Sequence, residues 1–321
     1  LNLGVDAGGS GTYTISGGTF GVNGSIVNGA GASTLNIDGG TVNAGTIGVD
    51  TLNIANTAGT NGSHTLGNGK SISAGFENIG REGTGVFTQT GGTNSVTNDL
   101  LIGRVSGSSG AYNLSSTGSI SADREFIGNA GTGIFTQSSG TNSVSSELAL
   151  GVFSGSSGTY NLSGTGSLSN NFVQVGRAGS GTLTQTGGSH TVSTELWLGV
   201  FSGSNGSYGL SGGTNTITDL LSLGVFTGSS GAYDLSSTGT VSADREIIGR
   251  DGTGVFTQSG GTHTVTNDLS IGQLATGNGT YNMSGGSLNV GGNLDNAAGT
   301  STLNIDGGTV NVTGSIVNGS G

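Results

Sequence analysis

The densest charge in the sequence lies in two copies of one triplet, Asp123-Arg124-Glu125 and Asp244-Arg245-Glu246, which follow the similar segments GAYNLSSTGSISA and GAYDLSSTGTVSA. A polysaccharide-cleaving site on a sheet face would cluster several carboxylates with Arg or Lys. An Arg with one carboxylate on each side instead predicts a local ion pair at a corner of the chain. Exposed pairs of this kind contribute little stability. The sequence therefore predicts no catalytic residue.

A second group of carboxylates could form a row suited to a cation. Each of these residues precedes a short apolar run: Asp99, Glu147, Glu195, Asp219 and Asp268. Carboxylate oxygens are ligands of Ca²⁺. A set of solvated turns is the favoured interpretation, because the sequence lacks the glycine-aspartate nonapeptide of calcium-binding β-rolls. We predict no cofactor, and Ca²⁺ is the one ion that this row would suit.

The three histidines do not predict a metal site. His64 stands in a less regular segment, and His190 and His263 occupy a place that asparagine holds in other repeats (Asn94, Asn142 and Asn215). A metal site needs several ligands that converge on one ion. One histidine per distant repeat does not meet that need.

Four large aromatic residues fall at predicted corners or outward positions: Trp197, Phe153, Phe201 and Phe226. Exposed aromatic side chains can stack on sugars or become buried in a neighbouring subunit. These four residues are the candidate contact surface of the chain.

Hydroxyl-bearing residues flank one apolar residue in several repeats, as in Thr191-Val192-Ser193, Thr216-Ile217-Thr218 and Thr264-Val265-Thr266. A flat threonine array would suit binding to ice. Other repeats contain SIS, SLS and SVS instead, so a solvated, hydroxyl-rich sheet is the favoured interpretation. Ice binding stays an alternative.

The elements that must position these residues are repeats of one unit, such as GVFTQTGGTNSVTNDLLIG and GAYNLSSTGSISADREFIG. The glycines that open the units are Gly85, Gly110, Gly133, Gly158, Gly181, Gly206, Gly231, Gly254 and Gly279. Their spacing takes two values that differ by two residues. Two kinds of unit alternate, one with the letters FTQ and one with YNL, and the alternation slips once after Gly206.

Each unit contains three short runs of β-branched, aromatic or aliphatic residues, separated by Gly, Ser, Asn or Asp. Such runs predict strands, and the separators predict turns. Three strands and three turns in about 24 residues predict a triangular coil of a parallel β-solenoid, with neighbouring coils about 4.8 Å apart. About thirteen coils would make a rod on the order of 60 Å long.

Rows of like residues support this stacking. One row is an aromatic ladder interrupted once by Leu183: Phe87, Tyr112, Phe135, Tyr160, Tyr208, Tyr233, Phe256 and Tyr281. Two residues further on, a second row contains Gln89, Gln137, Gln185 and Gln258. Alternation along a strand places both rows on one face, which we predict to be inward, so the glutamine amides must find backbone partners. The glycine after each third strand is predicted to adopt a positive φ at a corner.

Composition limits the function. The 321 residues include 70 Gly and no Pro or Cys, and the net charge is −11 from 18 acidic and 7 basic residues. Without a basic cluster nucleic acid is an unfavourable partner, and no apolar run is long enough to span a bilayer. We divide the chain into less regular coils over 1–84, regular coils over 85–300, and a terminal coil over 301–321. That last coil repeats STLNIDGGTVN of residues 33–43.

The segments GTGVFTQSGGTHTVTNDLSIG and GSSGTYNLSGTGSLS resemble repeats of bacterial surface proteins, namely autotransporter passenger domains and proteins with PEP-CTERM sorting signals. The resemblance covers residues 80–300. It implies a right-handed parallel β-helix, export to the cell surface, and a role in surface layers, adhesion or extracellular matrix.

These observations together predict a non-enzymatic, extracellular structural protein that forms a rigid stalk, fibre or adhesive layer. Coils without caps have open strand edges, which invite pairing. The predicted partners are therefore further copies joined end to end and, second, a surface polysaccharide. A carbohydrate-binding or carbohydrate-cleaving β-helix is the other alternative beside an ice-binding solenoid.

Overall fold

A computed structural model describes residues 1–318 and confirms the all-β, parallel solenoid. It has about 14 turns, which follow one another at about 23 residues. Every strand pairing in residues 1–318 is parallel, and the strands form sheets of 20 and 11 members. No helix occurs in this part of the chain.

Each regular turn has three straight segments, and the three stacks that they form are called face 1, face 2 and face 3. Face 1 is the 11-stranded sheet: Asn61–Leu66, Thr84–Gln89, Ser109–Leu114, Thr132–Gln137, Ser157–Leu162, Ser180–Gln185, Asn205–Leu210, Ser230–Leu235, Thr253–Gln258, Asn278–Met283 and Thr300–Ile305.

Faces 2 and 3 share the larger sheet, because in most turns one strand runs through both. These strands are Ser71–Ile79, Thr93–Ile102, Ser119–Ile127, Thr141–Leu150, Ser167–Val175, Thr214–Leu223 and Thr240–Ile248. In the other turns the strand is split: Ser189–Val192 and Leu196–Leu198, Thr262–Val265 and Leu269–Ile271, Ser287–Val290 and Leu294–Asn296, Thr309–Val312 and Ile316–Asn318.

The bend between faces 2 and 3 is a bulge whose size explains the alternating turn lengths. Two residues, Ser145 and Ser146, separate the paired positions in the longer turn, whereas Asp123 alone does so in the shorter turn. In the longer turn, the loop after face 3 also has two more residues than in the shorter turn, and the connection after face 1 has one fewer. The three differences sum to the two residues by which the longer turn exceeds the shorter one.

Burial follows the alternation along each strand. In Thr132–Gln137 the buried residues are Gly133, Phe135 and Gln137, and the residues between them are partly or fully exposed. One continuous core runs from Leu3 to Leu294 inside the three faces. Because each turn contributes only a few apolar side chains, it buries them against the turns before and after it.

The corner after face 3 requires glycine. Gly128 has a φ of 67°, and the equivalent glycines have φ values between 63° and 72°, which confirms the predicted positive φ. A Cβ on Gly128 would clash with the carbonyl oxygen of Ser157 in the next turn. Only glycine combines the left-handed conformation with this close approach.

The N-terminal strands belong to the same stacks, but their sequence repeat is out of phase with the three faces. These strands are Asn2–Leu3, Ser10–Gly21, Ser25–Asn28, Ala32–Asn43 and Thr46–Ile54. Residues 34–37 pair with 51–54, which pair with 76–79 on face 3. The identical residues 302–305 pair with 280–283 on face 1. The two copies of STLNIDGGTVN therefore lie on different faces of the rod.

Candidate functional site

The aromatic ladder lies inside face 1. The ring of Phe135 is 4.7 Å from those of Tyr112 and Tyr160, with interplanar angles of 4° and 3°. His64 lies at the start of the ladder, with its ring 5.5 Å from that of Phe87. The fully buried ladder residues are Phe87, Tyr112, Phe135, Tyr160, Tyr208, Tyr233, Phe256 and Tyr281. The stacked rings are in contact from Phe87 to Tyr160 and again from Tyr208 to Tyr281, and Leu183 lies between the two stacks.

The glutamine amides find backbone partners inside the core. Gln137 Nε2 donates to the carbonyl oxygens of Gly140 and Ser167, each at 3.0 Å. Its Oε1 accepts a hydrogen bond of 2.5 Å from the Tyr160 hydroxyl. Gln89, Gln185 and Gln258 have the same three kinds of contact. Each glutamine thus ties the turn after face 1 to the next coil.

A buried carboxyl extends this network across three consecutive turns. The carboxyl unit consists of Glu125, Gln137, Asn142 and Tyr160. Asn142 Nδ2 donates to Glu125 Oε2 at 3.0 Å and to the Tyr160 hydroxyl at 3.2 Å. Burial raises the pKa of Glu125 to about 7. Glu77, Gln89, Asn94 and Tyr112 form the same arrangement two turns earlier, and burial raises the pKa of Glu77 to about 7 as well.

The equivalent site one repeat pair later contains a histidine. The imidazole unit consists of Asn170, Gln185, His190 and Tyr208. His190 Nδ1 lies 3.0 Å from the Tyr208 hydroxyl, and Nε2 lies 2.8 Å from Asn170 Oδ1. Tyr208 donates its one hydrogen to Gln185, so His190 must donate from Nδ1. Burial lowers the pKa of His190 to about 3, so the ring is neutral and Nε2 keeps a lone pair. A half-turn of the Asn170 carboxamide, which exchanges Oδ1 for Nδ2, gives that lone pair a donor.

A third variant joins a carboxyl to an imidazole. His263 Nε2 lies 2.6 Å from Glu246 Oε2, and both side chains are fully buried. His263 Nδ1 lies 2.9 Å from the Tyr281 hydroxyl, which donates to Gln258. His263 must therefore donate from Nδ1, which leaves Nε2 to face the Glu246 carboxyl.

The predicted local ion pair is wrong for Asp123-Arg124-Glu125 and is present in Asp244-Arg245-Glu246 only as a contact between Arg245 and Asp244. Glu125 and Glu246 point into the core, where 0% and 1% of their surfaces are exposed. Arg124 pairs with Asp99 of the preceding turn at 2.7 Å, and Arg245 pairs with Asp219 at 2.6 Å. The bulge between faces 2 and 3 sets which residues of the triplet face inward. Arg245 retains a longer contact of 3.9 Å with Asp244.

The carboxylates proposed as a cation row are separated by other residue types. In register along face 3, Arg124 lies between Asp99 and Glu147, and Phe172 lies between Glu147 and Glu195. Leu220 pairs with Arg245 in register, and Asp219, which lies in the bulge before Leu220, forms an ion pair with Arg245. Asp268 precedes Leu269, which pairs with Glu246. In residues 1–318 no three His, Asp or Glu side chains are grouped so that they could hold a metal ion. Ca²⁺ binding stays a prediction.

The hydroxyl rows lie on the outside of face 2. Ser169, Thr191, Thr216, Ser242 and Thr264 follow one another in register on consecutive turns. Serine therefore interrupts threonine along this row, and a continuous threonine array does not form there.

Three of the four predicted contact aromatics lie together on the outside of the rod. Trp197 meets the ring of Phe226 edge-on at 6.2 Å, and Phe226 stacks on Phe201 at 5.6 Å. Phe172 joins them, with its ring 5.0 Å from that of Trp197. We call these four residues the aromatic patch. Phe153 is 57% exposed and occupies the same kind of corner as Phe201, two turns before it.

An open groove adjoins the aromatic patch along the bend between faces 2 and 3. It has a volume of about 630 Å³ and crosses five consecutive turns, from Thr97 to Ser193. Hydroxyl and amide groups line it, and its floor includes Ala122, which is smaller than its neighbours Val96 and Val144. Asp123 is the one charged residue in its lining. Hydrogen bonds from Ser146 and Ser145 hold the pKa of that carboxyl below its ordinary value.

Sequence reasoning missed Glu77, Glu125, Glu246 and Phe172. The glutamates stand two residues before the last inward residue of face 3, where other turns have Leu100 or Leu148. Strict alternation from Ile127 would have placed Glu125 inward, but buried carboxyls are rare.

Comparison with protein families, curated proteins and solved structures finds no match to this chain. No helix in residues 1–318 is long and apolar enough to cross a membrane.

Proposed function

We propose that this chain is a rigid, non-enzymatic structural segment that is displayed on the surface of a bacterial cell as part of a stalk, fibre or adhesive layer. The observation that supports this proposal is the uninterrupted stacking of core rows and strand hydrogen bonds along the described chain. Such a rod resists extension because backbone hydrogen bonds connect every turn to the next. The sequence resemblance to bacterial surface repeats supports the location.

End-to-end association is part of the same proposal. On the last described turn, Ile305 is 49% exposed and Ile316 is 70% exposed, although equivalent side chains are buried elsewhere. A further turn, from the same chain or from a second copy, would cover them and pair with the open strands.

Electron microscopy of the purified protein at several concentrations tests the proposal. Straight particles on the order of 65 Å long, or filaments of one rod width at high concentration, are expected from about 14 turns. Limited proteolysis measures rigidity on the same sample, and cleavage should be confined to the terminal turns. Flexible or globular particles, or rapid cleavage within residues 85–300, would contradict a structural rod.

A further inference from the structure

The aromatic patch differs from the rest of the surface of the regular turns. Phe201 and Phe226 are 43% and 40% exposed, and Phe226 contacts both Phe201 and Trp197 of the preceding turn. Most other outward residues on faces 1 and 2 are Ser, Thr or Asn. Exposed aromatic clusters of this kind mark contact sites.

Polar atoms without partners lie in and beside the patch. Trp197 Nε1, Gln174 Oε1 and Ser222 Oγ are buried without a hydrogen-bond partner. Gln174, Trp197 and Ser222 are neighbours in register on three consecutive turns. Buried polar groups are normally paired. A ligand that stacks on the rings of the patch would place its hydroxyl groups beside this row.

The groove continues the patch along the rod. Asn171 lines the groove and immediately precedes Phe172 of the patch, and Ser193 ends the groove in the turn that carries Trp197. Thr97 and Ser193 are four turns apart, which is about 19 Å. The groove and the patch therefore make one surface, with hydroxyls and amides at one end and aromatic rings at the other.

The charges around this surface select against an anionic ligand. Asp123 lies in the groove, and Glu147 and Glu195 lie on either side of Phe172 in register. Two basic residues lie nearby: Arg177 is 3.8 Å from Glu147, which it partly neutralises, and Arg124 pairs with Asp99. A ligand for this surface should carry apolar faces and many hydroxyl groups but no negative charge.

We propose that the aromatic patch and the adjoining groove bind a neutral glycan chain. The apolar faces of the sugar rings stack on Phe201, Phe226 and Trp197, and the sugar hydroxyls bond to the serine, threonine and asparagine side chains of the groove. This inference does not depend on the proposed structural role, since a rod without the site would have the same fold.

Trp197 is the one tryptophan of the chain, so its fluorescence reports on the patch directly. The full chain is titrated with cellohexaose, with maltohexaose, and with an anionic oligogalacturonate of the same length. At least one neutral hexaose should shift the Trp197 emission saturably, and oligogalacturonate should bind at least tenfold more weakly. Phe201→Ala and Phe226→Ala should each weaken binding about tenfold.

Phe153→Ala is the matched control, because Phe153 occupies the same kind of corner outside the patch. It should change the affinity less than twofold, and circular dichroism should show that all three variants keep the fold. The proposal is overturned if neither neutral hexaose gives a saturable shift at millimolar concentration, or if Phe153→Ala weakens binding as much as Phe201→Ala. It is also overturned if the emission shifts with protein concentration alone, which would identify a second copy as the occupant. Each of these results leaves the electron-microscopy test of the rod unaffected.

Discussion

The carboxyl unit and the imidazole unit occupy the same place in the fold, two turns apart. Both provide a buried partner for a tyrosine hydroxyl, but one contains an acidic group and the other a basic group. Gln137 and Gln185 make the same bonds to a tyrosine and to the backbone. The units differ because Glu125 is replaced by Val173, Asn142 by His190, and Ala122 by Asn170. The fold thus requires a partner for the tyrosine hydroxyl but not a particular one. The choice of partner sets how the stability of the rod depends on pH.

The largest expected difference between the units appears in acid. Folded His190 stays neutral down to a pKa of about 3, whereas an unfolded histidine takes up a proton near 6.5. Its contribution to stability is therefore complete above pH 6.5 and is lost as the pH falls toward 3. The loss is up to about 5 kcal/mol, at about 1.4 kcal/mol for each pH unit between the two pKa values.

Urea denaturation of the wild type and of His190→Asn between pH 3 and 7 measures this effect. His190→Asn copies the residue of the carboxyl unit, so the difference in unfolding free energy between the two proteins should change with pH. A constant difference over that range would show that His190 is not buried as a neutral group.

The carboxyl unit should show the opposite pH dependence with a smaller magnitude. Folded Glu125 stays protonated up to about pH 7, whereas an unfolded glutamate ionises near 4.5. The contribution of the neutral carboxyl to the free energy of unfolding is complete below pH 4.5. It falls by about 3 kcal/mol as the pH rises through 7. Glu77, with the same pKa of about 7, should behave alike.

Glu125→Leu tests this dependence, because Leu100 and Leu148 hold the same position in the neighbouring turns. At pH 8 this variant should be more stable than the wild type by about 1–3 kcal/mol, since a buried charge is replaced by a packed apolar group. Phe126→Leu is a neighbouring substitution that leaves the carboxyl in place. It should leave the pH dependence unchanged. A variant Glu125→Leu that is less stable at pH 8 would mean that the ionised carboxyl is well solvated.

The smallest expected difference concerns the tyrosine hydroxyls. Tyr160→Phe and Tyr208→Phe keep the ring stack, since Phe135 is a natural member of it. Each leaves the glutamine oxygen without its donor, at a cost of about 1–3 kcal/mol. Tyr208→Phe should cost about 1 kcal/mol more, because Asn142 keeps Glu125 as a second acceptor whereas His190 Nδ1 loses its one partner. Thermal or urea unfolding at pH 7 measures both variants, and equal costs would indicate that His190 changes its tautomer.

Much of the inner surface could be predicted from the sequence, because period-two alternation and row identity are local. The ladder from Phe87 to Tyr281 and the inward glutamines follow from that alternation. The predicted exposure of Glu125 and Glu246 was wrong. Charged residues are usually exposed, but the bulge before each glutamate places its side chain on the inner face. The neighbourhood of Trp197 and Phe201 was anticipated as a contact surface, but Phe172 was not, since its neighbour Trp197 belongs to the next turn of the rod.

The sequence by itself determined the turn length, the three segments of each turn, and the corners where glycine must adopt a positive φ. These features depend on residues within a few positions of one another, so a single turn encodes them. Only the tertiary structure decided that Arg124 pairs with Asp99, that Phe172, Trp197 and Phe226 form one patch, and that the copies of STLNIDGGTVN lie on different faces. Those contacts join different turns, and the lengths of the intervening loops and bulges set their register. Small differences in the lengths of loops and bulges, rather than residue types, thus determine which side chains are neighbours across turns.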